Sequence, residues 1–171
     1  MGRLAVREAV QAYLQGAGVP FLGTVYPARP TILDEDAYVQ TLSGLAIEES
    51  ANGSACVAVV NIPRDKRMRR ADTGRGAVQD SNIHEIALEL FFASSCGDAV
   101  LAQTDYDQVV DALIIAIREN PVPGTVWSAG EFQAGVVHDQ DSPYTNADGL
   151  TILISGVVRF EAWEWIAGTG V

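Results

Sequence analysis

Basic residues are concentrated in one short segment of this chain. Of its eleven lysines and arginines, six fall within twelve residues, 64 to 75, although the formal net charge is -11. These six are Arg64, Lys66, Arg67, Arg69, Arg70 and Arg75. With Asp65 and Asp72 the segment carries +4, so the remaining five basic and twenty acidic residues carry -15. This pattern favours binding of an anionic partner, either an acidic protein surface or DNA.

The flanks of the basic segment contain residues that interrupt regular structure. Ile62-Pro63 precedes the segment, and Gly74-Arg75-Gly76 stands at its end. Proline removes a backbone donor, and glycine favours no single conformation. The sequence therefore predicts a long, mobile basic arm between two apolar strands, with residues 65–81 becoming ordered only in an assembly.

The two histidines offer weaker candidates for chemistry. His84 adjoins Glu85 in a strand pattern, where neighbouring side chains point to opposite faces and do not converge on one metal ion. We predict a strand histidine with a hydrogen-bond partner. His138, Asp139 and Asp141 could bind a divalent cation weakly, but they lack the register of a calcium loop. A solvated polar turn is the favoured interpretation.

Two short motifs resemble active-site signatures without their context. Asp72-Thr73-Gly74 has the letters of an aspartic protease site, which needs two carboxylates in an apolar setting, yet arginines precede it. Gly74-Arg75-Gly76 lacks the further residues of a dinucleotide turn or a phosphate loop. We therefore expect no catalytic residue, no metal site and no cofactor.

Length and composition bound the class of protein. At 171 residues and 48% hydrophobic content, residues 1–171 are predicted to form one domain with a sizeable core. The apolar segments 55–62 and 150–158 are too short for a membrane helix, which needs roughly 20 residues. The N-terminal residues mix charge into apolar positions, unlike a secretory signal. Cys56 and Cys96 lack a C-x-x-C spacing, which favours two reduced thiols in an intracellular protein.

Two segments have the apolar periodicity of amphipathic helices. A helix over 3–15 would share its apolar face among Val6, Val10, Tyr13 and Leu14. A second helix over 104–120 would be capped by Thr104 and ended by Pro121. Its apolar stripe would consist of Tyr106, Val109, Val110, Leu113, Ile114 and Ile117.

The remaining apolar segments have strand patterns. They are 21–26, 54–62, 82–92 and a hairpin of 126–137 with 150–165 around a polar segment, 138–149. Asp34-Glu35-Asp36 could begin a short helical turn through Leu42. Most strands follow one another too closely for helical crossovers. We predict an α+β fold: an antiparallel β-sheet with two main helices packed on one face and a long basic loop between strands.

The tryptophans leave two interpretations open. Trp163 and Trp165 share one face of the last predicted strand, because side chains alternate with period two. Such a pair is more often core, but aromatic side chains are also enriched at subunit contacts. Both alternatives stand at this point.

With the elements placed, the layout of the chain resembles the tail terminator family of long-tailed bacteriophages. The likeness covers about residues 3–165 and contains no catalytic motif. It rests on an N-terminal helix before Tyr26-Pro27-Ala28-Arg29-Pro30, the strand 83–92, Asp105-Tyr106-Asp107 opening a helix that ends in Ile117-Arg118-Glu119-Asn120-Pro121, Trp127-Ser128-Ala129-Gly130-Glu131, and a last strand ending in aromatic residues.

That resemblance implies a structural virion protein that caps the phage tail tube and joins it to the head. It implies a hexameric ring assembled head to tail around a channel that DNA traverses. The implied partners are further copies of the chain, the tail tube protein, a head-closure or neck protein, and DNA passing through, with no membrane. The implied location is the tail or neck of a virion assembled in the bacterial cytoplasm.

Two alternatives remain at the level of sequence. The chain could be a head-completion or tail-tube subunit of the same particle, since these proteins have a similar layout. It could instead be a small nucleic-acid-binding protein that uses the basic 64–75 arm. A free DNA-binding module is disfavoured because -15 on the remainder would repel a duplex.

Overall fold

A computed structural model describes residues 2–29, 34–51, 53–71, 78–119, 128–129, 136–147 and 149–166. Within these ranges, side chains are described except at 66–71, 78–81, 128–129 and 163–166. The helices are α1 (Arg3–Gly16), α2 (Glu35–Glu49) and α3 (Ala99–Arg118). The strands are β1 (Leu22–Tyr26), β2 (Ser54–Ala71), β3 (Val78–Ser94), β4 (Ser128–Ala129), β5 (Val137–Gln140), β6 (Tyr144–Thr145) and β7 (Ile152–Ile166).

The strands of the described residues form one sheet with the order β1-β2-β3-β7-β4. The long strands β2, β3 and β7 are antiparallel neighbours, and β4, β5 and β6 pair antiparallel with successive stretches of β7. The predicted hairpin is confirmed where it is described, because residues 128–129 and Val137 of its first strand pair with β7, while residues 126–127 and 130–135 lie outside the described ones. The polar segment between its two strands is not one wide loop, because β5 and β6 lie within it.

Helices cover both faces of the sheet. Apolar side chains of α1 and α3 pack with one face in a single core cluster, which confirms two main helices on one side. Tyr38, Leu42 and Ala46 of α2 pack on the opposite face against β2, β3 and β7. The α+β prediction is confirmed. The prediction of helices on one face is incomplete, because it left out α2 on the other face.

Helix α2 is the main difference from the predicted elements. Asp34 begins it as expected, because its carboxylate accepts a hydrogen bond from the Asp36 N–H. The helix then continues to Glu49 rather than ending near Leu42. Its length allows it to cross the sheet, so that β1 and β2 pair in parallel. The sheet is thus mostly, rather than wholly, antiparallel.

Helix α3 begins earlier than the sequence predicted. Asp98 caps it by accepting hydrogen bonds from the N–H groups of Val100 and Leu101, at 2.8 and 3.2 Å. Thr104, the predicted cap, lies inside the helix and donates to the Val100 carbonyl. The predicted apolar stripe is confirmed, since five of its six members are buried and Ile114 is partly buried against the core.

The predicted basic arm is in large part a β-ladder. Arg64 to Ala71 belongs to β2 and pairs with β3 from Glu85 back to Val78. The expectation of irregular structure is wrong for these residues, and residues 72–77 lie outside the described ones. Whether assembly changes the order of the arm stays a prediction.

The proline that suggested irregular structure is absorbed by a bulge. Asn61 lies opposite Ala87 and Arg64 opposite Glu85, so Ile62 and Pro63 together face the single residue between them on β3. Two residues opposing one define a β-bulge, where the interrupted ladder tolerates a missing N–H. The strand therefore continues past Pro63.

The inward stripe of α3 can be tested by one buried substitution. Leu113 has 0% exposure, so Leu113→Asp would place an unpaired carboxylate in the apolar core. We expect a loss of stability of about 4 kcal/mol or more, enough to unfold the domain, as measured by thermal melting. Ile115→Asp is the matched control, because Ile115 is exposed on the same helix. Equal melting of both variants would show that the stripe is assigned to the wrong face.

Candidate interaction site on the basic hairpin

Five of the six basic residues of the 64–75 segment lie on a hairpin that continues the central sheet. We call Arg64–Ala71 of β2 together with Val78–Glu85 of β3 the basic hairpin. On its other side, residues 80–85 of β3 pair with residues 161–166 of β7. At about 3.3 Å per residue, the β2 part extends ~26 Å. The fold thus carries the basic segment on paired strands rather than on a free loop.

The structure places the six predicted site residues in three settings. Arg64 is exposed, with 71% of its side chain accessible, and its Nε lies 3.9 Å from the Glu85 carboxylate. Lys66, Arg67, Arg69 and Arg70 belong to the backbone ladder of β2, and their side chains lie outside the described residues. Arg75 lies wholly outside the described residues.

An ionic network joins the base of the hairpin to α1. Arg3 Nε contacts Asp65 Oδ2 at 2.7 Å, and Asp65 Oδ1 lies 2.8 Å from His84 Nδ1. Arg3 also donates to the Ile62 carbonyl within the bulge, at 2.9 Å. The prediction of a strand histidine with a hydrogen-bond partner is confirmed. The network fixes the bulge against the N-terminal helix.

The bulge explains why Asp65 faces α1. Cys56, Ala58 and Val60 point into the α1 and α3 core, so unbroken alternation would bring Arg64 to that side. The extra residue shifts the register by one, which turns Asp65 to the same face as His84. The Asp65 carboxylate therefore lies next to Arg3, whereas an unbroken strand would place Arg64 next to Arg3.

A second network lies on the α2 face of the sheet. Glu89 accepts hydrogen bonds from Arg29 at 2.7 to 3.1 Å, from the Tyr38 hydroxyl at 2.5 Å and from Asn61 at 3.1 Å. The Arg29 guanidinium also stacks 4.7 Å from the Tyr38 ring centroid and reaches Glu35. The Glu89 side chain is only 9% exposed.

The electrostatics of this network follow from its geometry. Hydrogen bonding to Glu89 raises the pKa of Arg29 despite partial burial. Burial and the bond to Glu89 raise the pKa of Tyr38, whose hydroxyl therefore stays protonated. The Arg29 guanidinium thus stays charged and the Tyr38 hydroxyl stays neutral, which suits a structural role.

Sequence reasoning missed this network because it missed most of α2. Alternation along the predicted strand 82–92 puts Glu85, Ala87 and Glu89 on the face opposite to Ile86. Helix α2 covers that face, so Glu89 is buried and needs partners. The signal that could have found it was the acidic start at Asp34 followed by helix-compatible residues up to Glu49.

The favoured interpretation of a solvated polar turn is confirmed for the exposure of Asp139 and Asp141 and wrong for the turn at His138. His138 lies in β5, and its Nε2 is 2.9 Å from the Tyr106 hydroxyl of α3. Gly156 makes room for this contact, since a Cβ there would lie 2.1 Å from that hydroxyl. Asp139 pairs with Arg159, and Asp141 accepts from Ser155. Across the described part of the chain, no three acidic, histidine or cysteine side chains form a metal-binding group.

The cysteines and tryptophans add little to the site. Burial raises the pKa of the Cys56 thiol to about 12, so this thiol is unreactive at neutral pH. Cys96 is exposed and its sulfur lies 3.0 Å from the Ser94 hydroxyl. Trp163 and Trp165 pair through their backbones with Ile83 and Ser81, and their side chains lie outside the described residues. Their role as core or interface stays open.

Comparisons with known proteins find a distant likeness among solved structures. No protein-family model matches the chain, and no curated protein matches it. A chain of the "Virion of native gene transfer agent (GTA) particle" shares 10% identity at a TM-score of 0.36, over 94% of this chain and 91% of that chain. A TM-score below 0.5 does not establish a common fold, so this likeness alone assigns no function to the chain. Among the described helices, none is long and apolar enough to cross a membrane.

The Glu89 network should contribute measurably to stability. Glu89→Gln removes the charge that Arg29 and Tyr38 share, and breaking a buried pair typically costs about 3–5 kcal/mol. Because Arg29 is 41% exposed and can regain water, we expect roughly 2–3 kcal/mol in urea unfolding. The control Glu48→Gln, at an exposed carboxylate, should stay within about 0.5 kcal/mol. Equal effects would contradict a stabilising network.

The Tyr106–His138 contact predicts a pH dependence. Burial lowers the pKa of His138 from its ordinary value of 6.5, so below 6.5 the unfolded chain binds more protons than the folded one. Neutral, partly buried His138 therefore contributes to the free energy of unfolding. This stabilising contribution is fully present above pH 6.5 and is lost as the pH falls. The melting temperature should drop more between pH 7 and 5 in the wild type than in His138→Gln, which does not titrate there. Parallel curves would contradict the contribution of His138.

Proposed function

We propose that this chain is a structural subunit that assembles head to tail into a ring, with the basic hairpin of one copy contacting an acidic surface of the next. The observation that carries the proposal is the position of five of the eleven basic residues on one hairpin strand, while the chain outside residues 64–75 carries -15. Donor and acceptor surfaces of opposite charge let identical copies associate without pairing like with like.

The ladder supports this use of the hairpin. A basic segment on paired strands loses less conformational entropy on docking than a free loop does. The Arg3–Asp65–His84 network also fixes the hairpin base relative to α1. A neighbouring subunit would therefore meet a largely preorganised surface.

The side chains best suited to catalysis already have structural partners. His84 binds Asp65, His138 binds Tyr106, and the buried Glu89 binds Arg29, Tyr38 and Asn61. These pairings support a non-catalytic role that uses no cofactor. We include this absence of catalysis in the proposal.

The finer assignment follows the resemblance of the sequence layout. We propose a tail terminator that forms a hexameric ring, caps the tail tube and joins it to a head-closure or neck protein in a phage virion. Its assembly would take place in the bacterial cytoplasm, with DNA traversing the channel. A head-completion or tail-tube subunit is the second candidate, since the same charge distribution would serve it.

A nucleic-acid-binding protein is the candidate from another class. The same basic hairpin could contact phosphates, which would give a sequence-independent and salt-sensitive affinity. The strong negative charge elsewhere disfavours this use. A basic lining would also bind the DNA phosphates and hinder the passage of DNA through a channel.

Charge reversal on the hairpin separates these candidates. Replacing Arg67, Arg69 and Arg70 together by glutamate should leave the monomer folded, because the described core clusters are formed by residues elsewhere in the sheet and the helices. It should abolish rings in the absence of DNA, and wild-type rings should loosen at high salt. Electron microscopy and analytical ultracentrifugation measure both effects.

The control replaces the same three arginines by lysine, which keeps the charge and should keep the rings. Glutamate variants that form normal rings but lose wild-type affinity for duplex DNA would favour the nucleic-acid candidate. A wild-type protein that stays monomeric at high concentration would contradict the ring itself.

A further inference from the structure

The outer face of α3 carries exposed apolar and acidic side chains in one stripe. Its members, at spacings of three, four and one, are Val100, Thr104, Asp107, Gln108, Asp111 and Ile115, all exposed. Val100 is 74% exposed and Ile115 is 54% exposed. Two large apolar residues therefore flank two aspartates on a surface directed away from the core.

Within the described residues, the side chains of this stripe have few interaction partners. The opposite face of α3, with Tyr106, Val109 and Leu113, already fills the core. Asp107 accepts one hydrogen bond from Gln103, its neighbour one turn away, at 2.8 Å. Neither Asp107 nor Asp111 forms an ion pair within the described residues. Exposed apolar residues grouped with unpaired charges are typical of a surface that binds a partner.

The basic hairpin matches this stripe in charge and length. From Val100 to Ile115 the helix rises ~22 Å, against ~26 Å for the β2 part of the hairpin. Asp107 and Asp111 are ~6 Å apart along the helix, and positions two apart in a strand repeat at about 6.6 Å. In sequence, the hairpin also places Met68 among its basic residues, as an apolar counterpart to Val100 or Ile115.

The hairpin that docks on this stripe must come from another copy. Within one chain, the hairpin continues the sheet on which α3 packs. The stripe lies on the side of α3 that faces away from that sheet, so the chain's own hairpin does not reach it. Because donor and acceptor are different surfaces, the contact is head to tail, and it propagates until a ring closes.

We infer that the outer face of α3 is the acceptor for the basic hairpin of a second copy of this chain. The inference rests on the proposed function and specifies which acidic surface the hairpin meets. Asp107 and Asp111 supply the charge that pairs with hairpin arginines, and Val100 and Ile115 are desolvated at the two ends of the contact.

The test reverses charge on the acceptor. Asp107→Lys with Asp111→Lys should lower the association constant at least tenfold in sedimentation, without changing the melting temperature of the monomer. The matched control is Glu8→Lys with Glu48→Lys, which makes the same charge change on exposed carboxylates of α1 and α2 and should assemble like the wild type.

Mixing variants gives a sharper readout. A copy with the reversed hairpin keeps its acidic acceptor, and a copy with the reversed α3 keeps its basic hairpin. Neither variant should assemble alone, but in the mixture every contact pairs opposite charges, so rings of alternating copies should form. Combining both reversals in one chain should restore assembly, since opposite charges again face each other. A disulfide between Met68→Cys and Gln108→Cys, with Cys96→Ser to remove the exposed thiol, should link different copies.

The outcomes distinguish a failure of the α3 acceptor from a failure of the proposed ring. If the α3 variant assembles like the wild type while the hairpin variant does not, the ring stands and this acceptor is wrong. If the α3 and control variants lose assembly equally, the loss comes from the change in net charge, and the acceptor assignment is also wrong. A monomeric wild type overturns both the ring and the acceptor.

Discussion

The antiparallel ladder between β2 and β3 is the interaction on which the rest of the structure depends. It continues from Ser54 opposite Ser94 to Ala71 opposite Val78, broken only by the register shift at the bulge. Its first half is buried between helices on both faces, and its second half carries the basic residues away from that core. One continuous set of backbone hydrogen bonds thus supports both the core and the candidate interaction surface.

The bulge at Ile62 and Pro63 adapts this ladder to two environments. Before it, alternation fills the core with Cys56, Ala58 and Val60. After it, the shifted register directs Asp65 toward Arg3 and His84. A single extra residue therefore changes the strand from an apolar lining to a polar joint with α1.

Charge is distributed unevenly over the fold. The basic residues are gathered on the hairpin, while α3 presents aspartates and exposed apolar residues on its outer face. The Arg29–Glu89 pair is by contrast internal, where Glu89 is buried and satisfied by Tyr38 and Asn61 as well. Internal ion pairs hold the elements together, whereas the proposed assembly rests on the basic residues of the hairpin and the aspartates of α3.

The sequence by itself determined the features that depend on local periodicity and composition. The apolar stripes of α1 and α3, the apolar parts of the three long strands and the clustering of basic residues were all predictable, because each follows from spacing along a short segment. Only the tertiary structure decided whether Pro63 ends a strand, since a bulge absorbs the missing donor when a partner strand continues. It also decided that α2 crosses the sheet to make β1 parallel to β2 and bury Glu89. These outcomes depend on contacts between residues distant in sequence, which local pattern does not encode.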